Sequence, residues 1–391
     1  MQRHQATARG AIGAALVGAG LLWVLAVQLR GSVFCVRAES FYKQGQNEPK
    51  GGVPHFQNAK VETRVLQGPL DQALHRWATA ATKAEWLGFA VPEVKGGRTI
   101  CCFNSDGRCR ACALEGNGSA ININSPEPGE GMGTVRLEGS HEMAVMFRAE
   151  NGKVGRIRIF SEDCTADAGG LNVVWLEGVK PGESVDLLER LVTGKDAGDE
   201  RHDSVGKNAL VALALIGDPS ADGALESLVS PNRPEWLRKE TAFWLGEARG
   251  AEGLRVLQKM AQNDPSTRVR EQVTFALSVS SEPGALNEII RMAHDDQSSQ
   301  VRGQALFWLA QKAGKKAESA IAVAIQDDPD TEVKKRAVFA LSQMPKDEGI
   351  PKLIEVAQTN KNPAVRKQAM FWLGQSEDPR ALAFFERVLS Q

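Results

Sequence analysis

The chain has 391 residues and nearly balanced charge, with 47 Lys and Arg against 48 Asp and Glu and a formal net charge of −1. Because no excess of positive charge would draw it toward phosphates, the composition argues against nucleic acid as a partner. Hydrophobic residues make up 42% and charged residues 24%, which is typical of folded globular proteins. The length allows two or three domains.

The N-terminus has the pattern of a membrane signal. Basic residues precede an uncharged run of eighteen residues, 10–27, which is just long enough to span a bilayer. No good small-residue cleavage site follows this run. We therefore expect residues 1–38 to be a signal-anchor or a late-cleaved signal. The rest of the chain is then extracytoplasmic, in the periplasm or cell envelope, and either membrane-anchored or secreted. The flanking charges do not by themselves set the orientation.

Residues 39–60 are polar and rich in Gly, Pro and Gln, which is typical of a flexible spacer. Residues 61–192 predict a compact α+β domain that contains most of the cysteines. Its expected elements, in order, are a strand at 61–66, a helix over 70–86, strands at 134–137, 143–147, 154–160 and 172–176, and a closing helix at 184–192. Gly-containing turns between the later strands favour antiparallel pairing. A charged linker, 193–204, ends this part.

From residue 205 to 391 the sequence repeats every 32 residues, and this period decides the expected fold. A Val or Leu followed by a basic residue recurs at Leu237-Arg238, Val269-Arg270, Val301-Arg302, Val333-Lys334 and Val365-Arg366. A phenylalanine follows six residues after each Val or Leu, and a leucine eight residues after. A unit of this length fits two helices, which bury their apolar faces only by stacking on neighbouring units. We therefore predict an all-α solenoid.

The turns between the units carry a recognisable motif. Asp264-Pro265 stands before Val269-Arg270 in the order Asp-Pro-x-x-x-Val-Arg. This pattern resembles the HEAT-repeat family, especially its bacterial, phycobilin-lyase-like form. The whole chain looks like exported bacterial HEAT-repeat proteins of unassigned reaction. The resemblance implies an α-solenoid, which is more often a binding scaffold than an enzyme, although fold alone does not fix function. It also leaves open a lyase-like, chromophore-handling role.

The repeated phenylalanines are the candidate binding residues. At about 100° per residue, they lie among mostly polar positions on the second helix of each unit. We predict a partner-binding row on the concave face, formed by Phe243, Phe275, Phe307, Phe339 and Phe371 with Gln304, Gln311, Gln343, Gln368 and Gln375. Aligned rings and amides suit a peptide segment, a partner helix or a glycan. Alternatively, the rings pack as core against the next repeat. The tryptophans next to them fall on the core side, so we expect them to be structural.

Two further patterns concern charge and cysteine. The basic series that begins at Arg238 is expected to pair with turn acids of adjacent repeats, among them Asp264, Asp296 and Asp328. Five cysteines, Cys101, Cys102, Cys109, Cys112 and Cys164, cluster in the first domain. In an exported protein such clustering favours disulfides. A zinc site built from these thiolates, or a redox pair of Cys109 and Cys112, remains an alternative.

The chain lacks the sequence signatures of common catalytic sites. We therefore expect no catalytic residues, no metal and no cofactor, although enzymatic activity stays open. The prediction is a non-enzymatic scaffold on the extracytoplasmic side of the membrane that captures a protein partner, a peptide segment or a helix, on the concave face of the solenoid. The chain would contact the membrane through its N-terminal segment. The alternatives are a thiol-redox or zinc-binding function of the cysteine cluster and the lyase-like role.

Overall fold

The computed structural model describes residues 52–94, 101–103, 112–115, 120–122, 142–162, 164–194, 204–312 and 314–390. For residues 101–103 and 120–122 it describes the backbone alone. The expected signal segment, the first part of the spacer, the strand at 134–137 and Cys109 lie outside the described residues. Within these ranges, none of the helices has both the length and the apolar character that a bilayer crossing requires.

The N-terminal part is a mixed α+β fold. Its strands are β1 (Phe56–Gln57), β2 (Val61–Val65), β3 (Glu85–Pro92), β4 (Cys101–Phe103), β5 (Cys112–Ala113), β6 (Ala120–Asn122), β7 (Glu142–Glu150), β8 (Lys153–Ser161), β9 (Ala166–Asp167) and β10 (Val173–Glu177). Its helices are α1 (Leu70–Ala80) and α2 (Pro181–Thr193). The main sheet has five strands in the order β2-β10-β3-β7-β8. The two helices bury Leu74 and Leu188 in the same core as the sheet.

Helix α1 is shorter than the sequence pattern suggested. It ends at Ala80, and Trp86 begins to pair as part of β3 instead of closing the helix. Trp86 and Leu87 are both buried although neighbours on a strand face opposite sides. Only a central strand covered on both faces buries consecutive side chains in this way.

The expected antiparallel pairing holds for only part of the sheet. β7 pairs antiparallel with β3 and β8. β10 instead lies between β2 and β3 and runs parallel to both. The run from Val173 to Leu176 is apolar throughout and buried on both faces, which is typical of a central parallel strand.

The C-terminal half is a stack of helices in two layers. Its helices are α3 (Val205–Leu215), α4 (Ser220–Leu228), α5 (Glu235–Ala248), α6 (Gly250–Asn263), α7 (Thr267–Val279), α8 (Pro283–Asp295), α9 (Ser299–Lys312), α10 (Lys315–Asp327), α11 (Thr331–Gln343), α12 (Lys346–Thr359), α13 (Pro363–Gln375) and α14 (Pro379–Leu389). The odd-numbered helices from α5 to α13 pack much more closely along their layer than the even-numbered ones do along theirs. Because a curved stack brings its inner helices closer together, the odd-numbered layer is the concave one.

The sheet and the solenoid share one hydrophobic core, which runs from Leu70 in α1 to Phe384 in α14. The backbone also joins the two parts. Val94 N donates to Leu215 O at 2.8 Å, and Gly217 N donates to Pro92 O at 2.7 Å. The end of β3 is thus fastened to the first helix of the stack.

The predicted ion pairs between repeats are present in three steps. Arg238 contacts Asp264 at 2.9 Å, Arg270 contacts Asp296 at 2.9 Å, and Arg302 contacts Asp328 at 2.7 Å. All six side chains are buried, so the pairs are structural, as expected. In the next repeat, Lys334 replaces the arginine and Asn360 replaces the aspartate. The Lys334 ammonium donates to Gln326 O at 2.7 Å instead.

Candidate functional site: an aromatic row on the concave face

The inner helices α5, α7, α9, α11 and α13 place one phenylalanine each along the concave layer. Four of these rings, Phe243, Phe275, Phe307 and Phe339, are half-buried. The fifth, Phe371, is 53% exposed. None of the five is fully buried, whereas the leucine two residues further along each helix is. The rings therefore lie at the surface of the core.

These rings contact one another from helix to helix. Phe243 stacks on Phe275 with ring centres 5.8 Å apart and planes at 15°. Phe307 stacks on Phe339 at 6.3 Å and 8°. The tryptophans fill the remaining steps. Trp308 lies 4.9 Å from both Phe275 and Phe307, and Trp372 lies 5.0 Å from both Phe339 and Phe371. With Trp244 beside Phe243 at 5.1 Å, eight rings form one continuous line, called the aromatic row below.

The expectation that the tryptophans are simply core is correct for one of the three. Trp244 is buried at 8% exposure, but Trp308 and Trp372 are half-buried. Each of these two contacts the phenylalanine of the preceding inner helix, Phe275 on α7 or Phe339 on α11. A helical projection of a single repeat does not show this contact. The Nε1 atoms of Trp308 and Trp372 are buried without a hydrogen-bond partner. The row thus presents ring carbon atoms rather than indole donors.

A groove of about 530 Å³ opens over the first half of the aromatic row. It is lined by Lys239, Arg268, Glu271, Gln272, Phe275, Gln304 and Trp308. These residues come from α5, α7 and α9, so the groove crosses three repeats. It is an open groove lined by two aromatic rings and five polar or charged side chains.

The rim of the groove carries more positive than negative charge. Arg268 reaches Glu235 only at 3.8 Å, with 78% of the arginine side chain exposed. Lys239 takes part in none of the ion pairs of the described residues. Glu271 supplies the single carboxylate among the lining residues. A carboxylate brought into the groove would therefore meet two cations and one anion among the lining residues, with Glu235 beside Arg268 as a second anion.

The five glutamines predicted for this site follow the aromatic row. Gln304 and Gln368 are half-buried, and Gln311, Gln343 and Gln375 are exposed. Of these, Gln343 donates to the Ser342 hydroxyl at 3.1 Å. The other four side chains form no hydrogen bond within the described parts of the chain. An amide donates and accepts in the same way as a peptide group, so these side chains are suited to bonding a backbone.

The cysteine cluster is described in part. Cys112 and Cys164 are buried and disulfide-bonded. Cys101 and Cys102 lie in β4, which pairs with β6, and Cys109 lies outside the described residues. In the same ranges no three His, Cys, Asp or Glu side chains gather closely enough to hold a metal ion. That the other cysteines of the cluster form disulfides stays a prediction.

Sequence reasoning placed the phenylalanines and glutamines on the inner helices but missed Trp308, Trp372 and the charged residues that line the groove beside them. One signal was present in the sequence. Tryptophan follows the phenylalanine in alternate copies, at Trp244, Trp308 and Trp372, which gives a period of 64 residues on top of the period of 32. This doubled period indicates that the arrangement of rings on the inner layer repeats every two units rather than every unit.

Comparisons with known proteins agree on the repeat. A HEAT-repeat family model matches residues 222–310 and 318–391. No curated protein matches the sequence. Human deoxyhypusine hydroxylase is 17% identical over 53% of this chain and 90% of its own, with a TM-score of 0.25. The complex of CpcE and CpcF of phycocyanin lyase from Nostoc is 21% identical over 40% of this chain and 99% of its own, with a TM-score of 0.31.

A structure of Kap95p with RanGDP is 16% identical over 50% of this chain and 30% of its own, with a TM-score of 0.35. At these low scores the activities and partners of the three proteins are not carried over to this chain. The family match and the stacked helix pairs give the assignment. Residues 222–310 and 318–391 belong to the HEAT-repeat family, and the C-terminal half of the chain is a HEAT-type α-solenoid.

Proposed function

We propose that this chain is a non-enzymatic, protein-binding scaffold that captures its partner along the aromatic row. The observation that carries the proposal is the continuity of the eight rings, seven of which remain partly exposed on the closely packed inner layer. Exposed apolar surface that is contiguous and rimmed by polar residues is typical of interaction sites. Buried leucines beneath the row already supply the core, so stability of the stack does not require seven partly exposed rings at its surface.

The residues beside the row favour a protein over a small molecule. The row crosses five helices, whereas the groove over its first half holds about 530 Å³. A ligand that contacts both halves must therefore be long. Rings for apolar anchors together with glutamine amides for backbone groups match a polypeptide segment.

The experiment that tests this proposal places a photo-crosslinking amino acid at Gln304 in the full-length chain in its own host. The control places the same amino acid at Val323 of α10, which is 43% exposed on the outer layer. We expect a discrete protein adduct from position 304 and none from position 323. Equal crosslinking from both positions, or none from either, would contradict the proposal.

We also propose that the described domains lie on the outer side of the membrane. The apolar run at 10–27 supports export. Disulfide-bonded Cys112 and Cys164 suit an oxidising compartment.

Intact mass with and without thiol alkylation, on full-length protein isolated from the host envelope without reductant, tests the location. We expect Cys112 and Cys164 to resist alkylation until the protein is reduced. Alkylation of both before reduction would overturn this location.

A further inference from the structure

We infer that the aromatic row binds an extended, acidic partner segment that carries two aromatic side chains about six residues apart. This inference rests on the proposed function and specifies its ligand. Three independent features of the row support it: the doubled period of the tryptophans, the free glutamine amides, and the combination of ring-edge exposure with positive charge.

The doubled period creates two equivalent subsites. In one, Phe275 and Trp308 lie at 4.9 Å and 37°, and in the other Phe339 and Trp372 lie at 5.0 Å and 44°. The step between them has Ala340 where the tryptophan would stand. Neighbouring helices pack about 8–10 Å apart, so two steps separate the subsites by about 16–20 Å. An extended chain rises about 3.3 Å per residue and covers that distance in about five to six residues.

The glutamines decide between an extended segment and a helix. Gln304 stands in the first subsite, and Gln368 is its equivalent in the second, two repeats later. Both amides are free to bond a peptide group. A bound helix already uses its backbone groups internally and would leave these amides without backbone partners. An extended segment presents a free N–H and C=O at alternate residues and would satisfy them.

The arrangement of the rings disfavours a cationic anchor. Phe275 has Phe243 on one side along the row and Trp308 on the other. Because rings stand on both sides of Phe275 along the row, we infer that its ring edge is what it offers to a ligand. A ring face attracts cations, whereas a ring edge is the positive end of the quadrupole. Edges favour the face of a partner aromatic ring in a T-shaped contact, or an oxygen with negative charge.

The surrounding charges point the same way. Lys239 and Arg268 flank the first subsite, where Glu271 is the one carboxylate among the lining residues. Glu235 lies 3.8 Å from Arg268, which leaves Lys239 as the cation without an ion pair in the described part of the chain. At the second subsite, Lys335 pairs with Glu332 at 3.0 Å. Arg336 donates to Gln300 O at 3.5 Å and forms no ion pair within the described parts of the chain. Each subsite therefore has cationic charge that a carboxylate of the partner would neutralise. We place that carboxylate next to each aromatic anchor.

The test uses the purified full-length chain and short fluorescein-labelled peptides in a fluorescence anisotropy titration. The reference peptide has two phenylalanines about six residues apart, each next to a glutamate, in a Gly/Ser background. Comparison peptides halve the spacing, replace both glutamates by lysine, or replace both phenylalanines by alanine. Because two anchors joined at the right spacing act together, we expect the reference peptide to bind about tenfold or more tighter than each of the other three.

Two variants locate the binding. Lys239→Glu should weaken the reference peptide about tenfold, and the loss should shrink at high salt because the charges are exposed. The control Lys316→Glu reverses a charge on the outer helix α10 and should leave the Kd unchanged. Equal affinity for all spacings, or preference for the lysine peptide, would overturn the inference. Absence of peptide binding would also overturn it, and the adduct from position 304 would then show separately whether the proposed function survives.

Discussion

The rings of Phe275 and Trp308 lie with their centres 4.9 Å apart and their planes at 37°, although one belongs to α7 and the other to α9. Both side chains line the groove over the aromatic row. Neither helix alone forms this surface, because each supplies one of the two rings. The proposed binding surface is therefore a property of the stack, and it depends on the register between repeats.

The first prediction separates the aromatic row from the core beneath it. Phe371→Ala removes a ring that is 53% exposed, and Leu309→Ala truncates a side chain that is fully buried. The leucine change should lower the free energy of unfolding by about 2–5 kcal/mol because it leaves a cavity. The phenylalanine change should lower it by less than about 1 kcal/mol, since little of the lost surface is buried. Urea denaturation followed by circular dichroism measures both, and equal losses would place the row in the core.

The second prediction concerns the ion pairs between repeats. Arg270→Met keeps most of the side-chain stem but leaves Asp296, itself 8% exposed, without its 2.9 Å partner. Breaking such a buried pair costs about 3–5 kcal/mol. Lys334→Met is the matched control in the next repeat but one, at the position equivalent to Arg270. There Asn360 replaces the acid, and the hydrogen bond of the Lys334 ammonium is exposed. This control should cost less than about 1 kcal/mol. Urea denaturation measures both losses in the free energy of unfolding. Similar losses for the two variants would show that the ion pair with Asp296 does not account for the stability that Arg270 contributes.

The third prediction compares two glycines at the same repeat position. A Cβ atom on Gly246 would stand 2.1 Å from Ala276 O of the next inner helix, whereas one on Gly374 would meet nothing within 4 Å. Alanine is the better helix former by up to about 1 kcal/mol, so Gly374→Ala should raise the free energy of unfolding. Gly246→Ala should lower it by about 1–3 kcal/mol, because α5 and α7 must move apart. Thermal unfolding of the two variants should therefore shift in opposite directions, and a gain at both positions would refute the close approach.

The fourth prediction concerns pH and the start of α14. Asp378 accepts hydrogen bonds from the Arg380 side chain and from Arg380 N, both at 2.9 Å. The Arg380 side chain first, and then the backbone N–H, lower the pKa of Asp378 to about 2. The unfolded chain has a carboxyl pKa of about 4, so the folded state is favoured above that pH and loses this advantage as pH falls through about 2.

Asp378→Asn keeps a capping side chain but removes the charge. Its Tm should lie below that of the unsubstituted protein at neutral pH, and the gap should close as the pH approaches 2. Asp347→Asn is the control, because Asp347 contacts the same arginine at 3.4 Å but has a 96% exposed side chain. A gap for Asp378→Asn that stays constant over the whole pH range in circular dichroism melts would rule out the charge as its cause.

Much of the solenoid was predictable because its contacts repeat at a fixed sequence distance. The period of 32 residues brings Phe243 beside Phe275 in the next repeat. It likewise brings Arg270 to the turn acid of the next repeat, Asp296, and neither contact requires knowledge of the rest of the fold. What the spacing does not contain is the distance between helices. A Cβ on Gly246 would stand 2.1 Å from Ala276 O, and this close approach of α5 and α7 is not contained in a helical projection of one repeat.

The N-terminal part was less predictable because its pairings join distant segments. Val173 pairs with Val61 and Trp86, and both neighbours are far away in sequence. A projection of one helix likewise does not show that Trp308 leans onto Phe275 of the preceding repeat. The pairing of β10 and the position of Trp308 were missed for the same reason. Both depend on contacts between separate helices or strands, which the pattern within one element does not contain.

Hydroxyl-radical footprinting of the full-length chain tests the central claim most directly. It compares the protein alone with its non-covalent complex with the captured partner. Buried Phe384, at 1% exposure, serves as the internal reference for an inaccessible ring. The aromatic row as partner surface predicts that Phe371 and the half-buried rings are oxidised faster than Phe384 in the free protein and become protected in the complex. Rings that react as slowly as Phe384 when the chain is free, or that stay reactive when the partner is bound, would contradict it.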